Sequence, residues 1–151
     1  MNDERLKAQQ DRVHPLFDAW SEHLRLSQWN IHLNWKRTGG AENHHGGVCL
    51  MEVTCDWRYE DAQITIYATS LEGLDDDELE ETVIHELTHI LVAEMTGGQE
   101  DAHDHEEHVV TRIARAFFYG SRTEDSPDGP CISDDAFATI IAGLPAEEGK
   151  D

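Results

Sequence analysis

Positive charge and paired thiols are scarce in this chain. Its 151 residues include 11 lysines and arginines against 32 aspartates and glutamates, which gives a formal net charge of −21. A surface this acidic repels the phosphate backbone of nucleic acids, so we expect no direct nucleic-acid binding. The three cysteines, Cys49, Cys55 and Cys131, form no CxxC pair. That spacing favours reduced thiols over a disulfide or a thiolate-rich zinc site.

Long apolar runs are also missing. No stretch approaches the roughly 18 consecutive apolar residues that a membrane-spanning helix needs, and residues 1–12, MNDERLKAQQDR, contain no signal-peptide core. We therefore expect no membrane association and a cytoplasmic location, in a bacterial or archaeal cell or in a phage-infected host. The length predicts a single domain over residues 1–144, followed by a disordered acidic tail at 145–151.

Hydrophobic periodicity predicts a mixture of helices and strands. Apolar residues at three- and four-residue steps indicate an amphipathic helix from Asp3 to about Ser27, with a bend or late start at Pro15. Alternating apolar and polar residues indicate strands at about 29–35, 48–54 and 62–68. A short helix beginning at Ser133 or Asp134 is expected near the end of the chain.

A further predicted helix begins at an acidic run. Asp75 and Glu78 have the spacing of a capping box, in which each side chain accepts a hydrogen bond from the backbone N–H of the other residue. A broad apolar stripe follows, and Gly97-Gly98 is typical of a helix end. The stripe consists of Leu79, Val83, Ile84, Leu87, Ile90 and Leu91.

The middle of this helix carries His85-Glu86-Leu87-Thr88-His89. The two histidines are one turn apart, so both imidazoles project from one face with Cβ atoms about 5–6 Å apart, close enough to share a metal ion. Glu86 leans to the side of the pair, where it can reach a water on the metal without being a ligand. The alternative is a pair of core histidines satisfied by carboxylates, but HExxH on a helix favours the metal because it has a defined mechanism.

This motif, inside an apolar helix that follows a short strand, resembles the active-site helix of the zincin metallopeptidases. The small size is similar to that of the compact phage and bacterial members of that group. The resemblance implies an α+β fold: a compact zincin-like domain with an N-terminal helix, a small three- to four-stranded mixed sheet, the active-site helix and a third-ligand helix. It also implies Zn²⁺ as the cofactor and a polypeptide substrate, with Ile64 to Ala68 as the candidate edge strand that pairs with it.

The third zinc ligand distinguishes the branches of the zincins. In metzincins the motif continues as HExxHxxGxxH, but Val92 and Met95 stand at the corresponding positions here and exclude that branch. The gluzincin branch takes a glutamate from a downstream helix. Residues 103–119, HDHEEHVVTRIARAFFY, predict such a helix, with a buried stripe formed by Val109, Val110, Ile113, Ala116 and Phe117.

Two adjacent glutamates in this helix are candidates for the third ligand. Helical phase favours Glu106, which is better centred on the apolar stripe. The family pattern favours Glu107, because it places the ligand six and seven residues before a large–small apolar pair, here Ile113-Ala114. We predict Glu107, with Glu106 as the alternative; His103, His105 and His108 are further alternatives. Family members commonly carry an aspartate four residues after the ligand, where this chain has Thr111, so the outer-shell partner of the histidine is unassigned.

The resemblance thus predicts a zinc metallopeptidase with His85, His89 and Glu107 as metal ligands. This set leaves a fourth position for water, and Glu86 is then placed to act as the general base. The candidates for the donor that stabilises the oxyanion are Tyr59, Tyr67, Tyr119, His44 and His45. The alternative function is a catalytically weak zinc-binding module that docks an extended polypeptide along its edge strand.

Overall fold

The computed structural model describes residues 1–41, 47–96 and 103–124. Its elements are helix α1 (Asp3–His23), strands β1 (Asn30–Lys36), β2 (Met51–Asp56) and β3 (Asp61–Tyr67), and helices α2 (Asp76–Thr96) and α3 (His103–Glu124). These elements confirm the predicted α+β class. The expected C-terminal helix, the domain boundary at 144 and the tail at 145–151 lie outside the described residues. Within the described ranges, no helix is long and apolar enough to cross a membrane.

Strand β3 lies in the middle of the sheet, whose order is β1-β3-β2. It pairs in parallel with β1 and antiparallel with β2, and Ile64 lies between Leu33 on one side and Val53 on the other. Alternate residues of β3 (Ala62, Ile64, Ile66) are fully buried against the helices. The residues between them are polar and lie on the opposite face of the sheet.

The expectation that Ile64 to Ala68 forms an edge strand is therefore wrong. Both sides of β3 are hydrogen-bonded within the sheet, so it has no free edge for another strand. Alternation of apolar and polar residues predicts which face of a strand is buried, but it does not predict which strands pair. The edge strands are β1 and β2, and β2 packs against α2.

Helix α1 continues through Pro15, so the predicted late start at this residue is wrong. Proline has no N–H group and removes one helical hydrogen bond. Three side chains of the same helix, Val13, Phe17 and Trp20, are buried in the core. Their burial offsets the lost hydrogen bond and keeps both halves of the helix packed on the core.

The end of α1 comes earlier than the predicted Ser27 because the backbone turns in a Schellman motif. The N–H of Leu26 donates to the carbonyl of Ser21 at 2.9 Å, and the N–H of Arg25 donates to that of Glu22 at 3.0 Å. Arg25 has a φ of 57°, the left-handed conformation that glycine usually supplies at this position. An arginine there gives no sequence signal for the helix end.

Helix α2 begins with the predicted capping box. The carboxylate of Asp75 accepts from the N–H of Glu78 at 2.8 Å, and that of Glu78 accepts from the N–H of Asp75 at 3.0 Å. The predicted apolar stripe is buried except for Leu91, which is 40% exposed. Thr88 is fully buried instead, and its hydroxyl donates to the carbonyl of Ile84 at 2.7 Å.

Helix α3 lies against α2 through a line of small and large apolar side chains. Val110, Ala114 and Phe118 are buried, whereas Ala116, which the predicted stripe included, is exposed. The buried line follows steps of four residues. Extended one turn toward the start of α3, it reaches the pair Glu106-Glu107.

Ionic contacts near the end of α3 connect all three helices. The guanidinium of Arg122 donates to Asp77 at 2.7 Å and to Glu80 at 3.1 Å, both on α2. The other oxygen of Glu80 accepts from the indole N–H of Trp20 on α1 at 2.8 Å. Since Glu80 is part-buried, these contacts help to hold α3 in place on α2.

We predict that Arg25→Gly stabilises the protein. Glycine adopts the left-handed conformation without the Cβ clash, so the free energy of unfolding should rise by about 0.5–1 kcal/mol. Arg25→Ala is the control, because alanine removes the same side chain but keeps the clash. Chemical denaturation measures both variants, and an Arg25→Gly protein no more stable than Arg25→Ala would contradict the assignment.

Candidate metal centre

The two motif histidines of α2 present their Nε2 atoms to the same point. His85 and His89 lie one helical turn apart, and their Nε2 atoms are 3.3 Å from each other. Their rings meet edge to face, with centroids 5.0 Å apart. Both rings thus present a lone-pair position to one small volume on the outer face of α2.

Glu107 of α3 faces both of these nitrogen atoms with its carboxylate. One carboxylate oxygen lies 3.0 Å from Nε2 of His85 and the other lies 3.3 Å from Nε2 of His89. Zinc bonds of about 2.0–2.1 Å in tetrahedral geometry place neighbouring ligand atoms about 3.3–3.4 Å apart. The distance of 3.3 Å between the two Nε2 atoms is close to that spacing, and the ligand atoms of His85, His89 and Glu107 all lie within 4.8 Å of one another, so the group could hold a metal ion.

The neighbouring glutamate makes a different contact. Nδ1–H of His89 donates to the carboxylate of Glu106 at 3.1 Å. When Nε2 carries no proton, this tautomer leaves its lone pair free on the side of Glu107, as a metal ligand requires. Glu106 thus contacts the nitrogen of His89 that faces away from Glu107, a contact that the sequence, with Thr111 at the usual aspartate position, did not assign to any residue. Both glutamates reach the histidines, and they do so at different nitrogen atoms.

Electrostatics of the metal-free centre follow from these hydrogen bonds. The pKa of the Glu107 carboxyl is far below its usual range because His85, and then His89, hydrogen-bond to it. Burial alone would lower the pKa of His89, but the hydrogen bonds to Glu107 and Glu106 and the charge of Glu86 outweigh it, so this pKa is raised. The centre thus favours a positive charge between carboxylates, which a divalent cation would supply.

Glu86 is almost completely buried, with 7% of its surface exposed. Burial raises the pKa of its carboxyl; His85 and His89 lower it, whereas the charges of Glu107 and Glu52 raise it further. Glu86 is not a member of the ligand group. A buried carboxyl beside the group, with a pKa shifted upward, suits an acid–base role.

Strand β2 contributes residues that no motif indicated. Burial, then the charges of Glu106 and Glu86, raise the pKa of Cys55 to about 11, so its thiol stays protonated. Burial and the charges of Glu86 and Glu52 also raise the pKa of Cys49. Both cysteines are free thiols. Glu52, another residue of β2, is one of the charges that raise the pKa of Cys49. The only sequence signal for it is the alternation of β2, which places Glu52 on the face opposite the apolar residues.

The other residues that the sequence suggested, as oxyanion donors or as alternative ligands, are not members of the ligand group among the described side chains. Tyr59 and Tyr119 are 79% and 61% exposed, and Tyr67 donates its hydroxyl to Glu52 on the sheet. His108 is exposed, and no contact links it to the ligand group. The loop histidines and the side chains of the two histidines that begin α3 lie outside the described residues; these are His44, His45, His103 and His105.

Comparison with known proteins identifies a family for this chain. Neither the curated proteins nor the solved structures include a significant match to this chain. The model of the SprT-like family, which is related to the zincin metallopeptidases, matches residues 13–125. The matched segment contains α2 with its motif, Glu107 and most of the sheet and helices that position them. Since the match covers more than half of the sequence, the chain belongs to the SprT-like family.

Proposed function

We propose that this protein is a zinc-dependent metallopeptidase of the gluzincin type. The observation that carries the proposal is that His85, His89 and Glu107 each offer one ligand atom and that these atoms all lie within 4.8 Å of one another. Three protein ligands leave a fourth position, as in catalytic sites. The side chain of Glu107 is 41% exposed, so the centre is open to solvent on that side.

Each residue of the centre has a separate role in hydrolysis. A bound zinc ion would polarise the scissile carbonyl and lower the pKa of a water molecule. Glu86 would accept a proton from such a water as the water oxygen bonds to the carbonyl carbon, and would pass this proton to the leaving nitrogen as the C–N bond breaks. Glu106 keeps His89 in the tautomer that binds metal.

The proposed substrate is an extended polypeptide that pairs with β2. Among the residues that the structure describes, this strand is hydrogen-bonded to β3 on one side and to no strand on the other, and it packs against α2, which carries the motif. Adding a strand to a sheet edge is a general way to bind extended peptides. We therefore propose β2 as the edge strand that binds the substrate, in place of the segment from Ile64 to Ala68.

The burial of Glu86 argues for catalysis over metal storage alone. A buried ionisable carboxyl costs stability, because its charged form is removed from water. Three ligands can hold zinc without it. A domain that only held metal and docked a peptide would gain nothing from this residue.

Glu86→Gln is therefore expected to bind zinc and lose activity. The amide keeps the size of the side chain but cannot accept the proton, so kcat/KM should fall by about 100-fold or more. Metal analysis gives zinc per chain, and cleavage of a mixed peptide pool gives activity. Glu81→Gln is the control, since it removes one charge from α2 at a residue paired with Arg115. Wild-type activity in Glu86→Gln, or a wild type without stoichiometric zinc, would contradict the proposal.

Variants of Glu106 and Glu107 test which of the two glutamates is the zinc ligand and which one orients His89. We expect Glu106→Ala to weaken zinc binding by about 10–100-fold, because it frees His89 to rotate and change tautomer. Glu107→Ala should weaken it more, because it removes a ligand. Competition with a chromophoric chelator measures both affinities on otherwise identical chains. The reverse order would assign the ligand to Glu106.

Zinc affinity should rise with pH across the titration of His89. Its pKa is raised above the usual value of about 6.5, so at pH 6 the metal-free centre holds a proton that zinc must displace. Calorimetry in buffers of different ionisation enthalpy should detect release of about one proton at pH 6 and less at pH 8. Equal release at both values would contradict the assignment.

The same shifts determine the stability of the metal-free protein. The raised pKa of His89 stabilises the fold fully below about 6.5, and this contribution is lost as the pH rises through the folded-state pKa. The lowered pKa of Glu107 stabilises it fully above about 4.5, and this is lost as the pH falls through the folded-state value. Zinc should therefore raise Tm more at pH 7.5 than at pH 5.5.

A further inference from the structure

The free edge strand carries an exposed carboxylate. In β2, Met51 is 5% exposed and faces the core, so the next residue, Glu52, faces the open side of the sheet and is exposed. Its cross-strand neighbour on β3 is Thr65. On the other side of β2, no strand of the described residues is paired with it.

The carboxylate of Glu52 is oriented by its neighbour on the central strand. The hydroxyl of Tyr67 donates to one of its oxygens at 3.1 Å, and the N–H of Tyr67 donates to the carbonyl of Leu50 at 3.1 Å. A hydrogen bond to one oxygen limits the rotation of the carboxylate. The second oxygen remains available to a further donor.

No cation among the described residues neutralises this carboxylate. Glu52 forms no ion pair, whereas Asp56, on the same side of the same strand, pairs with Arg58 at 3.2 Å. The chain as a whole carries 32 acidic and 11 basic residues. An approaching basic segment is therefore attracted to this edge by the net charge and by an unpaired local charge.

The strand that carries this carboxylate also packs against the helix that carries the proposed catalytic base. Strand β2 packs against α2; burial raises the pKa of Glu86, and the charge of Glu52 raises it further. Cys49 and Cys55, on either side of Glu52 in the sequence, are likewise within reach of the charge of Glu86. A polypeptide paired along β2 would pass both carboxylates.

We propose that Glu52 is a specificity residue that selects a lysine or arginine side chain of an extended polypeptide bound along β2. The inference rests on the proposed peptidase function. Side chains directly opposite each other on paired strands have Cβ atoms about 4.5–5.5 Å apart, and diagonal neighbours are within reach of long side chains. The substrate class is thus a polypeptide with a basic residue near the cleaved bond.

Peptides that differ at one residue test this selection. Starting from a peptide that the wild type cleaves, versions with Lys, Gln or Glu at each of the three positions on either side of the cleaved bond are compared by kcat/KM. At one position we expect Lys to be preferred over Gln by about five-fold, the size of an exposed cross-strand ion pair. The preference should shrink when salt is raised from about 0.05 to about 0.5 M.

Charge variants of the strand provide the controls. Glu52→Gln should reduce the Lys:Gln ratio to about one, and Glu52→Lys should reverse the order so that the Glu peptide is preferred. Asp56→Asn removes one charge from the same side of β2 and should keep the wild-type ratio. An unchanged ratio in Glu52→Gln, or an equal loss in Asp56→Asn, overturns the inference.

A binding experiment separates this inference from the proposed function. Zinc-loaded Glu86→Gln is titrated into fluorescein-labelled peptides of about ten β-forming residues with Lys, Gln or Glu in the middle. Tighter binding of the Lys peptide, lost in the double variant with Glu52→Gln, supports selection by Glu52 even if the wild type cleaves nothing. Absence of any Lys preference overturns the inference, while cleavage by the wild type would still support the peptidase.

Discussion

The docking of α3 on α2 is the contact on which the metal centre depends. Helix α2 alone offers two imidazoles, and two ligands do not make a zinc site. The third ligand atom arrives only because Val110, Ala114 and Phe118 bury one face of α3 against α2. Near the end of α3, Arg122 binds α2 through hydrogen bonds to two carboxylates. The centre is therefore a product of tertiary packing.

The proposed chemistry requires charges that packing would otherwise disfavour. The centre combines a buried carboxyl at Glu86 with two further glutamates, Glu106 and Glu107, around the histidines. In the metal-free protein, hydrogen bonds from the imidazoles offset part of this repulsion. A divalent cation would offset more of it, because two positive charges replace one shared proton. The three carboxylates that repel one another in the metal-free protein are thus the groups that would attract a divalent cation.

Local features were predictable from the sequence, and pairings between distant segments were not. The capping box and the one-turn spacing of His85 and His89 follow from helix geometry alone, and both appear in the structure. The order of the strands depends on how residues 37–50 connect β1 to β2, which alternation does not encode. The resemblance to the zincins, and not the alternation, implied an edge at Ile64 to Ala68, and the order of the strands in this chain differs from that expectation.

The sequence also could not assign roles that depend on contacts between side chains from different helices or strands. Glu106 is four and Glu107 is three residues before Val110, so both lie about one turn from the buried line. Helical phase favours Glu106, but the structure places Glu107 beside Nε2 of both histidines and Glu106 at Nδ1 of His89. The proposed role of Glu52 depends on Tyr67, a partner on another strand, and on the strand order.

The central claim is that two imidazoles from α2 and one carboxylate from α3 hold the zinc. X-ray absorption at the zinc edge of the loaded wild-type protein tests it most directly. The account predicts four light ligands at about 2.0–2.2 Å, with the multiple-scattering signature of two imidazoles. A sulfur ligand at about 2.3 Å, from Cys49 or Cys55, or a single imidazole, would contradict it.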